Sequence, residues 1–84
     1  MIYIISWSYR DAELYRRLAE LSPQQARIIT TPELLRAMNG ARVVVLGYPA
    51  LYRPGYWDRY HEALEVTRAV VQYDDTDRLL GVRR

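Results

Sequence analysis

No cysteine occurs in the chain, so neither a disulfide staple nor thiolate chemistry is open to it. A single histidine, His61, excludes a histidine-rich metal cluster. Lysine is missing as well: all twelve cations are arginine. Arginine pairs bidentately with carboxylates and stacks on aromatic rings, which suits an interface, although a GC-rich coding sequence leaves the same bias. Charge of one sign is scarce. The net charge is +2, and although the pI of 9.2 leans basic, nucleic acid is not expected as a partner. Long hydrophobic runs are missing too. The longest, MIYII and VVVLG, fall far short of the roughly 20 residues that span a bilayer, and the N-terminus lacks the flanks of a signal peptide. The expectation is a soluble, cytoplasmic protein with no membrane association.

A single domain of 84 residues buries only about 60–65% of the surface its unfolded chain exposes, so the core is small. Eight tyrosines and two tryptophans are first of all core material. Met1 to Ile5 is a continuous apolar run that predicts a strand buried on both faces. In SYRDAELYRRLAELSP, Ser8 and Asp11 have the spacing of a capping box, Leu14, Leu18 and Leu21 recur at helical spacing, and Pro23 closes the segment. ARIIT (26–30) predicts a second strand. Thr31 then offers a capping hydroxyl before Pro32, opening a helix over Pro32 to Met38 that packs Leu34, Leu35 and Met38 and stops at Asn39 and Gly40. RVVVLG (42–47) is the third strand. YWDRYHEALEV predicts a helix with Tyr56, Tyr60, Ala63 and Leu64 on one side and Asp58, Glu62 and Glu65 on the other. TRAVVQYD (67–74) presents a fork, a fourth strand or a continued helix, since neither glycine nor proline separates it from what precedes; the β-branched run favours the strand. The tail adds a short helical turn, and its last arginines are expected to be mobile.

Alternating strands and helices predict an α/β fold, a small flavodoxin-like or Rossmann-like three-layer sandwich whose parallel sheet has the order 2-1-3-4. That order fixes where a site belongs. Ligands of open α/β sheets bind beyond the carboxyl ends of the strands, where the strand order reverses. The loops after strands 1 and 3 flank that point, one contributing Ser6, Trp7, Ser8, Tyr9 and Arg10, the other Tyr48, Tyr52, Arg53, Tyr56 and Trp57, with Thr30 and Thr31 nearby. Aromatic planes, arginines and a helix N-terminus suit a nucleotide or nucleoside; the same residues also serve plain core capping and helix capping.

Several chemistries are excluded. SWSYRD stands where a G-x-G-x-x-G would follow the first strand, and no G-K-[ST] occurs, so a dinucleotide held in the usual pose is not expected. Asp74, Asp75 and Asp77 lack the glycine and the distal glutamate of a calcium loop and read as a solvated turn. No resident cofactor or metal is expected.

Two stretches nevertheless resemble known families. IYIISWSYRDAELYRRLAEL is similar to the first strand and helix of TIR domains, and ARVVVLGYPALYRPGYWDRYHEAL to their later strand, tryptophan and glutamate-bearing helix. That resemblance implies an attack on NAD by a glutamate one helical turn past the tryptophan; here His61 stands four residues after Trp57 and Glu62 five. LEVTRAVVQYDD (64–75) resembles the fourth-strand passage of nucleoside deoxyribosyltransferases, which implies a nucleoside substrate and moves the nucleophile toward Asp58 and Arg59. The catalytic candidates implied are thus Glu62 and, second, Asp58, with NAD or a nucleoside as substrate. The residues themselves favour a different function. Tyrosine, tryptophan and arginine dominate interface hot spots, and here they gather on one rim, so the leading expectation is a non-catalytic module that binds a protein partner through residues 6–10 and 48–60. A homodimer that buries the edge strand or the third helix is a further possibility for so small a core.

Overall fold

A computed structural model of the chain describes residues 1–36 and 38–81. Four parallel strands, β1 (Ile2–Ile5), β2 (Ala26–Ile29), β3 (Arg42–Leu46) and β4 (Val70–Asp74), form one sheet in the order β2-β1-β3-β4. Ile2 aligns with Ala26 on one side and Arg42 on the other, and Arg42 aligns in turn with Val70. Helix α1 (Tyr9–Leu18) joins β1 to β2, α2 (Tyr56–Val66) joins β3 to β4, and α3 (Thr76–Leu79) follows β4. The α/β sandwich with a reversal of strand order between β1 and β3 is therefore as the alternation of elements requires.

Successive strand residues point to opposite faces, and each face has its own cluster. On one, Ile5, Ile29, Val43 and Val45 pack with Tyr60, Ala63 and Leu64 of α2 and with Leu35. On the other, Ile4, Val44 and Leu46 pack with Ala12 and Tyr15 of α1, and Leu79 of α3 closes over them. Burial on both faces is why β1 and β3 are continuous apolar runs rather than alternating ones.

Three local expectations are corrected. The segment after β2 is a single 3-10 turn, Pro32–Leu35, not a helix reaching Met38; Leu35 is buried and Met38 partly so, while Leu34 is 42% exposed. The bonds run three residues back, from the Leu34 amide to Thr31 and from the Arg36 amide to Glu33, the 3-10 pattern. Thr31 makes no side-chain capping bond. In α1 the fully buried residues are Ala12 and Tyr15; of the leucine row, Leu21 packs against the same cluster and Leu18 is half-buried, while Leu14 is 38% exposed. A small Ala12 lets the helix close on the sheet, and Tyr15 reaches across it to donate a 2.7 Å hydrogen bond to Asp74. The capping box is half formed. Ser8 accepts from the Asp11 amide at 3.4 Å, but the Ser8 amide donates to the Ser6 hydroxyl, and the Asp11 carboxylate instead accepts from Thr76 at 2.7 Å.

The fork after α2 resolves as a strand. Arg68, at φ 53, takes the left-handed conformation, and the Arg68 and Ala69 amides bond back to Glu65 and Leu64, the reciprocal pattern of a Schellman stop. Glu20, at φ 57, ends α1 in the same way, with the Glu20 and Leu21 amides on Arg17 and Arg16. The expected mobility of the last arginines falls on residues outside the described ones, as does Ala37 in the segment after β2.

Candidate functional site

The carboxyl ends of the strands carry the loops that build the site. Ser6 and Trp7 leave β1, Thr30 and Thr31 leave β2, and Gly47 to Gly55 connect β3 to α2 through a short 3-10 turn, Pro49–Leu51. Gly47, at φ 78, takes the turn after β3 in a conformation that side chains resist. A methyl group there would meet the Trp7 ring at 2.5 Å and Leu51 at 2.9 Å, so the glycine also makes room for the tryptophan to lie on the backbone. Gly55, at φ 84, caps α2 and resets the chain direction.

Tyr52 is the keystone of this edge. Its ring is buried, and its hydroxyl donates to the Leu46 carbonyl at 2.6 Å with the Ile5 carbonyl at 3.4 Å. One side chain thus binds the loop to the ends of β1 and β3 together. Burial, ahead of the nearby Tyr60 and Asp11, pushes its hydroxyl well above the ordinary tyrosine range, which keeps the donor protonated. Around it the rings pack edge to face: Trp7 at 6.3 Å, Trp57 at 5.0 Å and Tyr60 at 5.8 Å between centroids. Trp57 in turn lies against His61 at 4.8 Å. The Tyr60 hydroxyl, pushed up to about 12 chiefly by burial, has no hydrogen-bond partner, and neither does His61 Nε2.

In front of this wall lies a crevice of about 350 Å³ lined by Ser6, Trp7, Tyr9, Thr30, Thr31, Tyr52, Arg53 and Tyr56. Of the ten residues expected to flank the switch point, the structure brings six together here. Ser8 is spent on capping α1, and Arg10 projects from the first turn of that helix, exposed. Trp57 belongs to the aromatic packing behind the wall. Tyr48, 48% exposed, lines a second cleft of about 210 Å³ with Trp7, Asp11, Leu51, Asp75 and Asp77. Trp7 is common to both depressions, so they adjoin. The catalytic candidates lie elsewhere. Glu62 is exposed and 3.3 Å from Arg36, and Asp58 is exposed in the first turn of α2.

The two depressions differ in charge. Arg53 stands at the crevice, 5.9 Å over the Tyr56 ring, with Arg59 5.5 Å from the same ring; Arg59 also pairs with Glu33. The cleft beside it carries the carboxylates of Asp11, Asp75 and Asp77. The strand order held the signal for this second cleft, since β4 next to β3 brings the residues after β4 beside the Tyr48 loop. Behind the cleft, Asp74 accepts from Tyr15, from the Asp75 amide and twice from Arg78, at 2.6–2.7 Å. Those bonds, the Arg78 guanidinium first, hold its carboxyl far below the usual range against the opposing effect of burial. Tyr15 is pushed up to about 12 by burial and by its bond to Asp74.

Among the described residues no group of three or more histidine, aspartate or glutamate side chains is placed to hold a metal ion, and no helix is long and apolar enough to cross a membrane. The fold and site define a small parallel α/β domain with a switch-point crevice. Among known proteins no family model matches the chain, and neither a curated protein nor a solved structure does.

Proposed function

We propose that this is a non-catalytic binding module that takes an extended segment of a protein partner across the switch-point crevice and the cleft beside it. The observation that carries this reading is the adjacency of the two depressions through Trp7, one with Arg53 and the other with three carboxylates. Such a surface suits a peptide that sets an acidic side chain against Arg53 and a basic one against the cleft, with Tyr9, 54% exposed, and Tyr48 forming the rim. Among the described residues that line the crevice there is no carboxylate or imidazole to act as base or nucleophile. Selection of binders from a random peptide library tests the idea. Recovered sequences are expected to combine an acidic and a basic residue, and Arg53→Glu is expected to weaken them about tenfold or more, the effect of turning one rim attraction into repulsion. Binders indifferent to both Arg53→Glu and Tyr9→Ala defeat the reading.

The crevice volume favours a second reading, because about 350 Å³ falls within the range of small-molecule sites. A nucleoside or nucleotide then occupies it; the enzymatic form of this reading, with NAD or a nucleoside as substrate and Glu62 as nucleophile, has that carboxylate outside the crevice, paired with Arg36. Release of nicotinamide from NAD, or base exchange between nucleosides, lost in Glu62→Gln, decides for the enzyme. Absence of both activities removes that form.

A further inference from the structure

We propose that two copies of this chain pair along β4, antiparallel about a two-fold axis at Gln72, and so join their sheets into one of eight strands. β4 is an edge strand: β3 lies on one side of it and, among the described residues, no strand on the other. Edge strands of monomers are usually blunted by a charge, a proline or a bulge. The other edge has Arg27 in its middle, exposed, whereas the one charged residue of β4, Asp74, is its last and is held by Tyr15 and Arg78; Val70, Val71, Gln72 and Tyr73 carry no charge, and Val70 and Tyr73 are 62% and 58% exposed.

The backbone restricts the register to those that set outward-facing residues opposite one another, and the side chains favour the one centred on Gln72. The Val70 amide donates to Ala41 and the Asp74 carbonyl accepts from Gly47, so residues 70, 72 and 74 turn their hydrogen-bonding groups toward β3. Alternation turns the amides and carbonyls of Val71 and Tyr73 outward. Antiparallel pairing centred on Gln72 sets Val71 opposite the partner's Tyr73, and Tyr73 opposite the partner's Val71, each a pair that exchanges two hydrogen bonds. Both side chains lie on the α2 face, so each contact is the β-branched and aromatic cross-strand pair that stabilises sheets. A register displaced by one residue sets outward groups against inward ones and forms no ladder.

Shallow grooves flank the strand, one of about 280 Å³ against α2 and one of about 190 Å³ on the opposite face, and they give the partner's alternating side chains room. The edge is short. A standard interface takes about 800 Å² per partner, a large share of a surface of 5630 Å², so the dimer is one that forms and dissociates with concentration.

The absence of cysteine gives a clean test. At the two-fold, Gln72 faces the partner's Gln72 as a non-hydrogen-bonded pair, about 4.5 Å between Cα atoms, inside the disulfide range of roughly 4.4–6.8 Å. Gln72→Cys is expected to cross-link into a covalent dimer under mild oxidation, and Arg27→Cys, on the opposite edge, to remain monomeric. Sedimentation of the cysteine-free chain is expected to show a dimer that weakens about tenfold or more in Tyr73→Lys, since symmetry makes each substitution act twice. Tyr73 is exposed, so the variant keeps its fold, which circular dichroism checks. A monomer at every concentration up to about 1 mM, or equal cross-linking of the two cysteine variants, overturns the proposal.

Discussion

Gly47 answers two demands at one position, a left-handed backbone and a tryptophan ring lying where a Cβ would be. Gly47→Ala is expected to destabilise the protein by about 2–4 kcal/mol, the sum of a strained φ and an overpacked contact. Thermal unfolding checks this, because about 1 kcal/mol moves the midpoint of a domain this size by roughly 4–8 °C. Only half of the reason was legible in the sequence. A glycine followed two residues later by a proline marks the end of a strand, whereas the ring of Trp7 reaches it from forty residues away and follows only from the pairing of β1 with β3. Tyr52 is similar. Its residue type suggested a binding ring, but its hydroxyl is committed to carbonyls at the ends of two strands, a role that depends on contacts no local pattern encodes.

Elements were easier to read than their orientations. Apolar runs and periodicity placed the four strands and the two long helices, because those patterns are set by burial itself. The stop between α2 and β4 escaped them, since Arg68 takes a conformation in which glycine is the usual residue. Arg68→Gly is therefore expected to stabilise the protein by about 0.5–1 kcal/mol, the relief of the left-handed strain less the added freedom of the unfolded chain, read as a higher denaturant midpoint. Helix α1 shows a different limit. Its leucine row predicted the buried face, but the contacts that decide its rotation are polar ones to the end of the chain, Tyr15 to Asp74 and Asp11 to Thr76. Hydrophobic spacing carries no information about a hydrogen bond across fifty-nine residues.

At the scale of the molecule, Asp74 ties α1, β4 and α3 into one unit, and it does so only as a carboxylate. Its folded pKa lies below the ordinary 3.8, so the stability it contributes is present above that value and is lost as the pH falls from there toward the folded one. Asp74→Asn is expected to cost about 2 kcal/mol at neutral pH and to flatten the acid limb of the stability profile, measured by urea unfolding between neutral and acid pH. The switch-point address of the crevice was legible from topology alone, because strand order fixes which loops meet. Which rings face it was not, since Trp7, Tyr52 and Trp57 share one aromatic cluster and packing sorted them. That sorting leaves the protein with a built-in optical reporter. Of its two indoles, Trp7 forms a wall of both depressions, while Trp57 lies behind them against Tyr52 and His61. Emission quenched or shifted by a ligand thus comes from Trp7, and a Trp57→Phe chain watches its own crevice fill with no label attached.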